Sequence, residues 1–325
     1  MSYILVIVGL IFLVIAGNIM IRGAVSIAEN FGLSKLVIGL TVVAFGTSAP
    51  ELVVGINAAL TGVPTLALGN MVGSNIANIL LVIGLPIIFF PFAFEGREIK
   101  QNYILMLAGT LIFILLCFNG PFTKVDALLL IALLLIFLVN SYKRSQPTVA
   151  VLRPDVSIVD PLENNIKEVL EKPLTTPRAI LSVLIGLLGL VYGADILVKG
   201  GVEIARDFNV SEAVIGLTII AVGTSLPELV TAIIALKKNH GEVALGNVIG
   251  SNIFNLFAIM GGTALVADVP VPASFLSIDL WVMLISSAAL LPFVIWKIKL
   301  NRITGLIFCS GYIIYLFTLS NSSAG

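Results

Sequence analysis

Charge is what this chain has least of. Of its 325 residues 11% are charged and 58% are apolar, against about 25% and about 45–50% in an ordinary soluble domain. A mean hydropathy of +1.12 over that length means more apolar side chain than one water-bounded core can bury, so lipid must be the solvent for the surplus and a soluble enzyme is excluded. Net charge is absent as well, 18 Lys+Arg against 18 Asp+Glu, which removes the basic surface a nucleic-acid partner needs. The one histidine, His240, follows Lys237 and Lys238 and reads as a solvated loop residue. The two cysteines, Cys117 and Cys309, lie inside apolar runs without a CxxC or Cys/His partner. They read as small core hydrophobes and say nothing about redox compartment. Met1–Gly17 lacks the basic leader of a cleaved signal and reads as a first span.

What is abundant is the long apolar run. Runs bounded by charged or Pro/Gly breaks place spans near 3–21, 37–60, 65–90, 101–118, 125–142, 178–198, 212–236, 243–267, 277–296 and 303–319. Ten spans at about 20 residues each use about 200 residues, close to the apolar content. The expected fold is therefore an all-α integral membrane protein. Connections after odd-numbered spans hold fifteen of the eighteen Lys and Arg residues. The other side holds only Lys124, Lys199 and Arg206. Short cytoplasmic loops collect basic residues, so the odd connections are expected in the cytoplasm and both termini outside a plasma or inner cell membrane. Trp281 and Trp296 flank the ninth span and read as interface anchors.

A shift of 177 aligns residues 9–84 with 186–261 without a gap, with 36 identities in 76 positions. Five spans is an odd number, so the two copies enter the membrane from opposite sides. This predicts two inverted five-helix repeats, 1–142 and 178–325, with best-matched segments at 37–90 and 212–267 and a polar cytoplasmic linker at 143–177. Inverted repeats build a midplane site with alternating access. Val156–Lys172 within the linker has some helical spacing and could lie on the membrane surface, but it lacks the Asp-rich spacing of a calcium loop.

The second span of each half reads G-L-T-V-V-A-F-G-T-S-A-P-E, ending at Glu51, and G-L-T-I-I-A-V-G-T-S-L-P-E, ending at Glu228. Each puts a carboxylate near mid-membrane, where an unpaired charge costs at least about 2.5–3.5 kcal/mol. No Lys or Arg falls in the interior of a span, so a proton or a bound cation must neutralise them. Gly46 and Gly223 weaken the helix. Pro50 and Pro227 remove a donor and disfavour α conformation at Ala49 and Leu226, so a break is expected just before each Glu. Oxygens near Ala44 and Ala221 are expected to lose intrahelical partners, and the hydroxyls of Thr47, Ser48, Thr224 and Ser225 lie beside them. An all-oxygen set suits hard cations such as calcium and sodium and lacks the His or thiolate of a zinc or copper site.

The third spans carry G-N-M-V-G-S-N-I-A-N, ending at Asn78, and G-N-V-I-G-S-N-I-F-N, ending at Asn255. Ser74 and Asn78 are four apart on one face, as are Ser251 and Asn255, and both faces could close the cage. Gly69, Gly73, Gly246 and Gly250 read as packing positions between helices.

These doubled motifs resemble the cation/calcium antiporters, whose two inverted α-repeats carry G-T-S-x-P-E and G-S-N-I, and the resemblance spans essentially the whole chain. It is nearest to prokaryotic sodium/calcium exchanger-like members. The resemblance implies calcium held by Glu51 and Glu228 with the Thr47 and Thr224 carbonyls. It also implies flanking sodium sites at Ser48, Ser225, Ala44, Ala221, Ser74 and Ser251, and Asn78 and Asn255 completing the set. Spans 1 and 6 would slide as a gate. Several relatives have Asp where this chain has Asn255, and an amide neither titrates nor adds charge, which speaks against potassium coupling. Two carboxylates balance one calcium or two sodium ions, and a third sodium would make exchange electrogenic.

The expected partners are calcium and sodium ions and the bilayer, with no cofactor and no obligate protein partner. Proton-driven calcium antiport through the same carboxylates is the alternative, and the paired Ser/Thr positions favour sodium. An intramembrane serine hydrolase at Ser48 or Ser225 would need a base at membrane depth, and no His or Lys lies there. Asn18 and Asp195 are repeat partners, and Lys199, four residues on, makes Asp195 a local ion pair rather than a gate residue.

Overall fold

The computed structural model describes residues 2–93, 97–144, 173–208 and 221–322. Among those residues every regular element is a helix, apart from two isolated β-bridges. The first half consists of α1 (Ser2–Phe31), α2 (Lys35–Thr47), α3 (Ala49–Leu60), α4 (Thr65–Phe89), α5 (Arg97–Phe118) and α6 (Lys124–Arg144). The second consists of α7 (Thr176–Asp207), α8 (Ala221–Thr224), α9 (Leu226–Lys237), α10 (Gly241–Val266), α11 (Phe275–Ile295) and α12 (Arg302–Ser322). Eight of these helices are long and apolar enough to cross a membrane, and α2 with α3, bent by 43°, make a ninth broken span. The span expected at 212–236 is described from Ala221 as α8 and α9. Its first residues, 212–220, and residues 145–172 of the expected linker, including Val156–Lys172, lie outside the described residues.

Contacts between connections sort them onto two faces. The Leu300 N–H bonds the Phe92 carbonyl at 2.8 Å, joining the connections after the third and ninth spans. Ser34 Oγ donates to Glu98 Oε2 at 2.9 Å, and the Leu174 N–H bonds Ser26 Oγ at 3.0 Å. Connections after odd-numbered spans thus share one face. On the other, Phe122 and Val269 exchange backbone hydrogen bonds of 2.9 and 3.0 Å between the connections after the fourth and eighth spans. Only an odd number of crossings per half puts corresponding connections on opposite faces in this way, so the halves are inverted.

Burial separates centre from periphery. In α10, 94% of the apolar stretch is buried within the protein, against 22% in α6. α10 is therefore walled by other helices while α6 presents Leu128, Leu135 and Ile136 outward to lipid. α1 and α7 run longer than hydropathy indicates, 30 and 32 residues. They lie antiparallel, with Ser2 Oγ donating to Glu203 Oε2 at 2.7 Å. Glycines let their backbones touch: a Cβ on Gly186 would sit 2.7 Å from the Met20 backbone N, and one on Gly200 2.8 Å from the Ser2 carbonyl. Asp195 and Lys199 form the expected ion pair at 2.7 Å on the exposed side of α7.

Candidate functional site

The two broken spans meet at mid-protein. Each break falls at a serine, Ser48 with φ −87° and ψ 1° and Ser225 with φ −90° and ψ 5°, and Ala49 and Leu226 already belong to the next helix. The expected break at Ala49 and Leu226 is thus one residue too late. Pro50 and Pro227 take the second helical position, where no intrahelical N–H is needed, and the turn is made before them. The Ala44 carbonyl also departs from expectation. It accepts the Ser48 N–H at 3.0 Å and Thr47 Oγ1 at 3.4 Å. It is the Gly46 carbonyl, four residues before Pro50, to which the ring brings no N–H. In the second half the Ser225 N–H goes to the Val222 carbonyl at 3.1 Å, so the two breaks are similar but not identical.

Glycine sets how closely the halves approach. A Cβ on Gly246 would lie 2.5 Å from the Leu36 carbonyl and 2.9 Å from the Leu40 N, and one on Gly250 2.5 Å from the Leu40 carbonyl. Both are packing positions, as their spacing indicates. They press α10 onto α2 so that Thr47 Oγ1 donates to Asn247 Oδ1 at 3.0 Å and lies 3.5 Å from Ser251 Oγ. Among the described residues a Cβ on Gly69 would meet only Phe275 Cζ, at 3.6 Å, and one on Gly73 nothing within 4 Å; residues 209–220 lie outside the described residues. Gly46 and Gly223 do more than weaken a helix. A methyl on Gly46 would overlap Leu187, and one on Gly223 would overlap Val198. Both glycines are sockets for side chains of α7.

Glu51 and Glu228 are each 1% exposed and close enough to sense each other's charge. Ser48 Oγ donates to Glu228 Oε1 at 3.4 Å, across the two halves. Thr47 and Ser251 hydroxyls also face Glu228. Asn78 and Asn255 are 1% exposed and begin wide π-helical turns, Asn78–Ile83 and Asn255–Ile259, a distortion that recurs at functional sites. Among the described residues the buried side-chain oxygens without a hydrogen-bond partner include Glu51 Oε2, Glu228 Oε2, Asn78 Oδ1, Asn255 Oδ1 and Ser225 Oγ. Four of these form two repeat-related pairs of acceptors. Buried acceptors are normally satisfied, and a group of them with no donor is what a hard cation would complete.

Of the remaining expected positions, Ser74 and Ser251 are buried beside the asparagines, and Ala221 and Thr224 are the first and last residues of α8, ahead of the second break. Spacing passed over Asn75, Asn252 and Asn247. These are also fully buried, and they hydrogen-bond Asn255, Asn78 and Thr47. The doubled motif held the signal, since all three asparagine positions repeat. Thr231, a turn beyond Glu228, is fully buried with an unpartnered hydroxyl where the repeat has Val54. Away from this site, His240 caps the start of α10 and is half-buried rather than solvated. It lines a recess of about 550 Å³ with Glu29, Lys35 and Glu242 at one membrane face. Burial, then Lys35 and Lys238, push its pKa down to about 4.

Inverted halves around buried, oxygen-rich side chains are the arrangement that secondary transporters use. The sequence profile described as sodium/calcium exchanger protein matches residues 1–143 and 178–321, and the chain belongs to that family. It is 38% identical over 325 residues to the putative antiporter CaxA of Alkalimonas amylolytica, covering 98% of both chains. It is 33% identical over 345 residues to the sodium/calcium exchanger MaX1 of Methanosarcina acetivorans, again covering 98% of each. Its fold superposes on the sodium-calcium exchanger NCX_Mj with a TM-score of 0.81 at 30% identity over 98% of both chains. The protein is a multi-pass membrane transporter.

Proposed function

We propose that this chain exchanges calcium for sodium by alternating access, with Glu51 and Glu228 as the charged ligands shared by both ions. The observation that carries the reading is the set of unpartnered acceptors Glu51 Oε2, Glu228 Oε2, Asn78 Oδ1 and Asn255 Oδ1, buried in two repeat-related pairs. Two negative charges match one calcium or two sodium ions. Neutral oxygens from Thr47, Thr224, Ser48, Ser225, Ser74 and Ser251 and the carbonyl of Ala221 complete the coordination, while the Ala44 carbonyl is already engaged by Ser48 and Thr47. A third sodium makes the cycle electrogenic. With an amide at Asn255 the site holds two carboxylates only, so potassium is not carried. The distribution of basic residues supports a cytoplasmic face that bears His240, with both termini outside. α7, whose Leu187 and Val198 seat against Gly46 and Gly223, and α1, whose Gly17 lies against Val230 and Ile234 of α9, move across it as the gate.

The test is calcium-45 flux into proteoliposomes holding the full chain, with sodium, potassium or proton gradients imposed separately. Sodium alone should drive uptake, and an inside-positive or inside-negative potential should change its rate. Uptake driven by a pH gradient without sodium would overturn sodium coupling and assign the same carboxylates to proton exchange.

A further inference from the structure

Behind the four cage residues stands a second tier of asparagines. Asn78 Nδ2 donates to Asn252 Oδ1 at 3.0 Å, and Asn255 Nδ2 donates to Asn75 Oδ1 at 3.0 Å. In each pair the donor nitrogen is committed, and the Oδ1 of the same amide is the atom left without a partner. This orientation is consequential, because an amide flipped end for end would aim N–H donors at a cation and repel it.

The tier behind selects the flip. Asn75 Nδ2 lies 3.8 Å from Met71 Sδ, 3.8 Å from Met283 Sδ and 3.5 Å from the Asn252 carbonyl. Asn252 Nδ2 lies 3.7 Å from Met106 Sδ. A thioether accepts weakly and never donates, so it favours the NH2 end of the amide and leaves the oxygen end facing the cage residue. Met106 and Met283 are fully buried on α5 and α11. They are also 177 residues apart, so the repeat offset holds beyond the segments that align. Two relays result, Met283–Asn75–Asn255 and Met106–Asn252–Asn78, each crossing between the halves twice.

We propose that Asn75 and Asn252, backed by Met283 and Met106, are positioning residues that present the amide oxygens of Asn255 and Asn78 to the transported cation. The proposal rests on the reading of Asn78 and Asn255 as ligands. Asn75 acts through Asn255, so its removal is felt only while Asn255 is present.

Initial calcium-45 uptake against calcium concentration, in proteoliposomes of the full chain, tests this. Asn75→Ala should raise the calcium KM about tenfold, the worth of one hydrogen bond that orients a ligand. In an Asn255→Ala background the same change should alter KM by less than about twofold. Asn75→Asp, which keeps an acceptor for Asn255 Nδ2, should hold KM at or below the wild-type value. Met283→Leu keeps the volume without the sulfur and should raise KM about threefold with unchanged protein yield. An unchanged KM in Asn75→Ala, or an equal loss in the Asn255→Ala background, overturns the proposal. If Asn255→Ala is too slow to time, or Asn75→Ala fails to fold, the contrast between Met283→Leu and Asn75→Asp decides. Glu51→Gln in the same assay separates the two levels. If it transports normally the carboxylate reading fails; if it is dead while the asparagine pair is additive, only the positioning role fails.

Discussion

Replacing either mid-membrane glutamate by glutamine changes almost nothing but charge, and the size of the effect can be worked out. Glu51 and Glu228 are buried to 1% exposure, each with one oxygen that no protein donor reaches. When calcium is bound, each carboxylate is one member of a buried ion pair. Removing one member of such a pair costs about 3–5 kcal/mol, which weakens binding by roughly two to three and a half orders of magnitude. At a calcium concentration of about 100 times the wild-type Kd, the ligand stabilises the native protein by about 2.7 kcal/mol. For a variant bound at least about 100-fold more weakly, the same concentration contributes only about 0.4 kcal/mol or less.

The assay is thermal unfolding of detergent-solubilised protein with and without calcium. Wild type should show a clear upward shift in apparent Tm, and Glu51→Gln and Glu228→Gln almost none. Without calcium the ordering changes. A neutral amide removes the cost of holding an uncompensated anion in a low-dielectric site, so both variants should melt no lower than wild type. Calcium exchange should be lost in both. A variant that keeps the full calcium shift would refute the reasoning, because the charge would then not be a ligand. A variant that melts far lower in calcium-free buffer would refute it too, since the carboxylate would then be a structural group.

Gly246→Ala should cost about 1–3 kcal/mol, read as a lower apparent Tm, because its Cβ meets the Leu36 carbonyl at 2.5 Å, an atom that cannot rotate away. Gly46→Ala displaces Leu187 of α7 rather than backbone. It should slow exchange while preserving the calcium-induced Tm shift, and Leu187→Ala in the same chain should restore the rate. The pKa of His240 is pushed down to about 4 from its ordinary 6.5, so the unfolded chain takes up a proton at higher pH than the folded one. Stability should hold above pH 6.5 and fall as pH drops towards 4, and His240→Gln should flatten that slope in melting curves taken across the range. Lys35 and Lys238 oppose the charge on His240. Glu29 and Glu242 share its recess, so Glu29→Gln should steepen the same slope.

Span positions were legible because hydrocarbon imposes one length scale on every helix that crosses it. The rule stops at the membrane surface. α1 continues through Ser26, Glu29 and Asn30 to Phe31, since nothing in hydropathy ends a helix that still has polar residues to carry it into water. The carboxylates were legible for the opposite reason: each is an exception to hydropathy, and the exception is made twice. What lay beyond reading was every feature decided by the facing half. Gly46 and Gly246 look alike in the sequence, yet one receives a side chain of α7 and the other a backbone carbonyl of α2. Asn75 sits three residues from Asn78 on the same helix, but its partner is Asn255 in the other half. The i, i+4 rule that grouped Ser74 with Asn78 describes neighbours along one helix, whereas an inverted pair makes its site from neighbours across two. Repetition at a shift of 177 therefore says which residues are doubled, and only the packing of α2 on α10 says which copy each one meets. Met106 and Met283 show how far that goes: the offset relates them although their helices scarcely align, because the constraint is the amide each one faces.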